Sequence, residues 1–187
     1  MKKSTVLSSI TAIAVLVFSA FTPPSGKLVS NKTHVKFFST TPAENIEAHN
    51  YKSVGTIDRQ TGDIVFSVPM QSFEFEKALM QKHFNSSDFL DTQTNPKAKL
   101  IAKITNLADI NFEKDGTYNA TIKGEMTIKG KTNAFNDKGT VTINGSVVKV
   151  NSKFNITLAD YGVAFEKGKP STNIAKTIDV TVEAEYQ

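Results

Sequence analysis

A chain of 187 residues without a cysteine excludes a disulfide framework, thiolate chemistry and any cysteine-ligated zinc or iron–sulfur centre, so its stability has to come from burial. Its 22 lysines and arginines stand against 18 carboxylates, a net charge of +4. The lysines are scattered singly, which excludes the basic stripe that a nucleic-acid footprint needs.

The first element in chain order is an apolar run over residues 6–21 that follows Met1-Lys2-Lys3 and ends in Thr22-Pro23-Pro24-Ser25-Gly26. Two lysines, an apolar stretch and small residues ahead of a helix-stopping proline are the pattern of a secretory signal peptide. Residues 1–20 are the expected leader, cut after Ser19 or Ala20. The run is shorter than the roughly twenty residues that span a bilayer, and without cysteine no lipoprotein anchor can form. Removing Lys2 and Lys3 leaves 20 basic against 18 acidic residues, a net charge of +2. The remaining 21–187 make one domain, with no second apolar stretch able to insert into a membrane.

From residue 35 onward the chain alternates apolar and polar residues, the period of a strand with one wet and one buried face. Expected strands are 35–41, 52–58, 64–70, 98–106, 120–129, 139–144, 148–158 and 178–186. Turn signals separate them: Arg59-Gln60-Thr61-Gly62-Asp63, Lys114-Asp115-Gly116, Lys129-Gly130-Lys131-Thr132 and Asn144-Gly145. Short connections make sequential neighbours pair, so the sheet is antiparallel. Eight long strands with clean alternation favour closure into a barrel, which removes exposed edges.

Residues 73–90 break the pattern. Phe75, Leu79, Met80, His83 and Phe84 recur at three- and four-residue spacing, which predicts one or two short helical turns, with Ser86 or Ser87 able to cap a second. The segment reads as a plug for one end of the barrel. His83, Asp88 and Asp91 could form an acid–base pair there, but a histidine at the border of an apolar face is more often a capping or core residue. His34, His49 and His83 lie in separate segments without HxH or HExxH spacing, so no metal site is expected. No GxSxG, phosphate-cradling loop or dinucleotide fingerprint occurs, and a non-enzyme is the expectation.

The apolar inventory reads either as an ordinary core or as an elongated apolar cavity. Phenylalanines and methionines fall at inward parity or in the plug, while Ala102, Ala120, Gly124, Ser152 and Ala184 are small inward residues that leave room for a ligand. Three stretches carry a family resemblance. They are Met80-x-x-His83-Phe84-x-x-Ser87-Asp88-Phe89-Leu90-Asp91 with Asn95-Pro96-Lys97-Ala98-Lys99-Leu100, then Gly124-Glu125-Met126-Thr127-Ile128-Lys129-Gly130-Lys131-Thr132, and Leu158-Ala159-Asp160-Tyr161-Gly162-Val163. Together, and in this order, they resemble the YceI-like family of secreted bacterial proteins across about residues 27–187. The family's Gly-x-Phe pattern ahead of the second strand is missing, with Asn45-Ile46-Glu47-Ala48 and Tyr51 in its place.

The resemblance implies an all-β fold, an extended antiparallel eight-stranded lipocalin-like barrel with a short helical cap, that holds a polyisoprenoid lipid such as an isoprenyl phosphate or a quinone. The expected tunnel wall is Phe37, Phe66, Val68, Met70, Met80, Phe84, Phe89, Leu100, Met126, Ile128, Phe154 and Ile156, with His83 and Lys129 as head-group contacts at a mouth. No cofactor other than such a lipid is expected. The protein is expected in the periplasm or secreted, and a homodimer is admissible. The other reading is a filled-core barrel that acts as a protein-interaction module.

Overall fold

The alternating runs form strands, half of them longer than the alternation marks. The computed structural model describes residues 26–41, 44–163, 165–166, 169–170 and 175–187; the leader expected over 1–20 lies outside them. In chain order the elements are β1 (Lys27–Thr40), β2 (Asn45–Asn50), β3 (Val54–Asp58), β4 (Asp63–Pro69), β5 (Glu74–Phe75), α1 (Ala78–Asn85), β6 (Lys97–Ile104), β7 (Gly116–Ile128), β8 (Lys131–Asn144), β9 (Val147–Thr157), β10 (Phe165–Glu166), β11 (Lys169–Pro170) and β12 (Thr177–Tyr186). Short 3-10 turns occupy Met70–Ser72, Leu107–Asp109 and Leu158–Tyr161.

Eight strands close a ring, β1-β3-β4-β6-β7-β8-β9-β12 and back to β1, with every pairing antiparallel. The closed eight-stranded barrel with one short helix is the expected fold. Strand β8 differs from expectation by starting at Lys131, eight residues before the alternation becomes clear. Its polar first half, Lys131 to Lys138, has little strand propensity of its own. A two-residue turn imposes the pairing instead: Lys129 and Gly130 both have positive φ (50° and 71°), and Ile128 pairs with Lys131. Such a turn has the twist that matches paired strands, and it carries the ladder on to Gly116 opposite Ile143.

Strand β1 divides one of its edges. Its far edge pairs with β12 from Ser30 to Phe38. On the near edge Lys27–Val29 pair with β3, after which Val35–Thr40 pair with β2, which in turn takes up β5. Above Val29, therefore, no strand bridges β1 to β4. The amide of Asn50, wholly buried at the end of β2, spans part of this seam by donating from Nδ2 to the Pro69 carbonyl at 2.8 Å. Its Oδ1 accepts from the Lys52 N–H (2.9 Å) and from the Ser53 hydroxyl (3.1 Å).

Residues 70–96 cover the rest of the seam. A single helix, α1, stands where one or two turns were expected. Ser86 ends this helix and does not begin another: its Oγ donates to the His83 carbonyl at 2.7 Å. The turns that follow are tied by backbone bonds from Asp91 N–H to Ser86 O and from Asn95 N–H to Asp91 O (both 2.8 Å), and by Thr92 Oγ1 donating to Asn85 Oδ1 (2.8 Å). The side chains of Ser87, Asp88 and Asp91 make no hydrogen bond among the described residues.

The interior has two halves. At the end away from α1, Leu28, Ile57, Ile104, Val141, Ile143, Val148 and Tyr186 are all buried and form a solid floor. The small residues Ala102, Ala120 and Ala184 are buried at or near this filled half and do not widen the interior as their size suggested. Toward α1, Leu100, Ile128, Phe135, Phe154, Ile156 and Ile178 also point inward, yet they are only half-buried.

Two tests follow from this packing. A β-carbon on Gly124 would lie 2.2 Å from the Ile101 carbonyl oxygen and 2.4 Å from the Ala102 α-carbon. Gly124→Ala is expected to lower unfolding free energy by about 1–3 kcal/mol in urea titration, the usual cost of overpacking. Burial pushes the Tyr186 phenol well above its ordinary range. The folded chain thus favours the neutral phenol, whose contribution is complete below about pH 10 and is lost as pH rises beyond it, where the unfolded chain ionises first. Tyr186→Phe is expected to flatten the fall in stability between about pH 9 and about pH 11, read by urea unfolding at both.

Candidate functional site

Inward residues that are only half-buried inside a closed barrel face unfilled space. That space is a cavity of about 190 Å³ whose wall is almost entirely apolar. Its lining extends along β12 from Ile178 to Tyr186, eight steps or about 26 Å of strand at the usual rise.

The strands of the ring supply the cavity through their inward parity. Strand β1 gives Val35 and Phe37; β4 gives Ile64, Phe66 and Val68; β6 gives Ala98 and Leu100; β7 gives Ile122, Met126 and Ile128; β9 gives Val150, Phe154 and Ile156. Leu158, Tyr161 and Val163 line it from the turn after β9. The turn is fixed to the β7–β8 hairpin by Asn133 Nδ2 donating to the Asp160 carbonyl at 3.0 Å. Tyr161 is raised above the ordinary phenol range, first by burial, against the lowering effect of its hydrogen bond with Asn133.

Aromatic packing closes the end at α1. Phe84, the buried residue of the helix, lies parallel to Phe37 with ring centroids 5.7 Å apart, edge-on to Phe73 at 5.4 Å, and tilted against Phe75 at 5.0 Å and Phe89 at 6.4 Å. Lower on the wall Phe135 meets Phe154 edge-on at 5.0 Å.

Of the residues expected at the tunnel wall, Phe37, Phe66, Val68, Met70, Phe84, Phe89, Leu100, Met126, Ile128, Phe154 and Ile156 line this cavity. Met80 does not, because the face of α1 that turns inward is centred on Phe84 and leaves Met80 half-buried at its flank. His83 and Lys129 are not in the lining either. His83 is exposed, and Lys129 sits in the β7–β8 turn with its ammonium donating to the Gly162 carbonyl at 3.4 Å. Alternation alone would have found Val150, Ile178, Val182 and Tyr186, which share the inward parity of their neighbours. Phe135 had no such signal, since it lies in the polar half of β8. Of the segment that replaces the family's Gly-x-Phe pattern, Asn45-Ile46-Glu47-Ala48 lie in β2 and Tyr51 just after it, and none of these residues is in the lining.

Lys99 is the one charged residue of the lining and sits at an exposed position on β6. His34 and His49, distant in sequence, meet on the outer face of β1 and β2, His34 Nε2 to His49 Nδ1 at 2.9 Å, with Tyr51 parallel to His34 at 4.7 Å between centroids. Their other nitrogens face Glu183 (3.4 Å) and Glu47 (3.0 Å). Among the described residues no three His, Asp or Glu converge as metal ligands.

Comparison with known proteins agrees with this architecture. The model of the YceI-like domain matches residues 27–186. UPF0312 proteins of Pseudomonas putida are 28% identical over 112 residues, 57% of this chain and 53% of theirs, so the chain spans about half the length of the curated relatives it matches. Among solved structures, a polyisoprenoid-binding domain from Saccharophagus degradans superposes with a TM-score of 0.72 at 13% identity, covering 87% of this chain and 98% of that one. Burkholderia cenocepacia BcnA superposes at 0.67 with 19% identity, covering 82% and 95%. At these identities the likeness is one of fold. With the family's domain matched over residues 27–186, nearly the whole described chain, this protein belongs to the YceI-like family.

Proposed function

We propose that the protein is a non-enzymatic carrier or store for an isoprenoid or similar long apolar lipid, held inside the barrel. The observation that carries this reading is the cavity of about 190 Å³ whose lining is almost entirely apolar, from the floor to the aromatic cap. An apolar cavity of this order stays dry and accepts hydrocarbon. Each CH₂ equivalent moved into it from water contributes about 0.8 kcal/mol, so affinity needs no ion pair. A narrow space selects by width and length, as a linear prenyl chain requires. The likeness to a domain described as polyisoprenoid-binding supports the same class of ligand.

The carrier reading includes export, with residues 1–20 removed and the barrel working in the periplasm or outside the cell. The pattern of residues 1–26 supports it. The amino-terminal sequence of protein purified from its host should begin at Ala20 or Phe21; a chain still starting at Met1 would refute export by cleavage.

Loading is tested by mass spectrometry of the organic extract from gently purified protein. Phe66 and Met126 both flank Leu100 across adjacent strands and both line the cavity. Paired Phe66→Asp and Met126→Asp substitutions are expected to remove a stoichiometric lipid present in the wild type, with circular dichroism confirming that the barrel persists. Wild-type protein that carries no lipid and takes up no added prenyl lipid would favour the interaction-module reading.

A further inference from the structure

The outer wall of the barrel gathers its exposed apolar residues in one place. Between the inward residues of each strand lie those that face solvent, and on β7 and β12 these are all threonine, asparagine, lysine, aspartate or glutamate. Of the six large hydrophobic side chains exposed among the described residues, four stand together elsewhere on the wall: Val29, Val54, Val65 and Ile101, between 44% and 59% exposed. The ladders put three of them in a single row. Val29 pairs with Thr56, Thr56 with Val65, and Val65 with Ile101, across β1, β3, β4 and β6. Val54 stands two residues from Thr56 on the same face of β3. A lone exposed valine is ordinary, but a row joined across neighbouring strands is a contiguous apolar patch that a partner can cover.

The charges beside this row are ordered. On its floor side the next outward positions are Asp58 on β3, Asp63 on β4, Lys103 on β6 and Lys123 on β7. Two acids therefore stand on one side of the β4–β6 boundary and two bases on the other. Asp63 Oδ1 and Lys103 Nζ lie 3.5 Å apart across it, and both side chains are still more than half exposed. A two-fold axis laid along the strands at this boundary carries each residue of β4 onto β6 of a second copy at the same level. Val65 then meets the partner's Ile101, and Asp63 meets the partner's Lys103, so acids and bases alternate around the axis. Asp58 and Lys123, further round each barrel, add the same complementarity at longer range. An axis at right angles to the strands would instead set β6 against β6 and bring Lys99 to the partner's Lys103, a like-charge contact that opposes that arrangement.

We propose that the outer face of β3, β4 and β6 is a homodimer interface, its two copies related by a two-fold axis along the strands between β4 and β6. The apolar row is small beside a standard interface of about 1,600 Å², so the dimer forms and parts with concentration. Because the axis follows the strands, both α1 caps stand at the same end of the pair. None of this depends on what the barrel holds.

The test is sedimentation velocity of the full chain over a wide range of concentration, with circular dichroism to confirm that each variant is folded. Wild type is expected to pass from monomer to dimer as concentration rises. Asp63→Lys and Lys103→Asp each set like charges at the axis and are expected to raise the dissociation constant by on the order of tenfold or more. An equimolar mixture of the two variants is expected to dimerise again, because the introduced lysine of one chain faces the introduced aspartate of the other. A wild-type dimer that neither substitution weakens uses another face and overturns the assignment. A mixture that stays monomeric while wild type dimerises overturns the axis along the strands. Wild type that is monomeric at every concentration overturns the dimer and leaves the row to a partner of another kind.

Discussion

The interior of this barrel depends on how strand β1 divides its near edge. Every backbone N–H and C=O along a strand needs a partner, and β3 offers partners for only Lys27–Val29 before it turns away. Strand β2 takes over from Val35 to Thr40, but it leads to the two-residue β5 and not to β4. Below the change of partner, the wall is a continuous ladder and the space inside is narrow enough for side chains to fill it. Above the change, the ring is held on one side only, and the wall between β5 and β4 has to be made of something other than strand. Aromatic rings are suited to that task, since each covers a large area without needing a hydrogen bond. Phe73, Phe84 and Phe89 supply it, while Asn50 uses its amide in place of a ladder bond.

Much of this was legible in the sequence because alternation reports which way each side chain points. It put Phe37, Phe66, Val68, Leu100, Met126, Ile128, Phe154 and Ile156 at inward parity, and these residues line the cavity. What it cannot report is depth along the barrel axis. Ala102, Ala120 and Ala184 look like room for a ligand but sit toward the filled floor, whereas the larger residues Phe135 and Phe154 border the open space. Strand β8 shows the complementary limit. Its first half is too polar to be read as strand, and only the long-range ladder with β7, seeded by the positive-φ pair Lys129 and Gly130, makes it one.

The polar residues around α1 had the density of an active site. In the structure their work is local. Ser86, Asn85 and Thr92 close turns behind the helix, and His83 is exposed. Helical spacing identified the inward residue, Phe84, and overstated its neighbour Met80, because an eight-residue helix over a seam presents only one narrow stripe to the interior. Conversely, the His34–His49 contact was invisible in sequence: their spacing carries no motif, and the pairing of β1 with β2 alone brings them together.

The barrel and its cap are built from bonds of different kinds, and this separates their kinetics. The staves hold one another through long ladders that break only when the whole sheet opens. The cap is attached through β5, a few turn bonds and the side chains of one aromatic cluster, so its local opening is expected to take less free energy than global unfolding. On the carrier reading, a molecule held behind Phe84 would exchange through this local fluctuation, its residence time decoupled from the thermal stability of the protein that holds it.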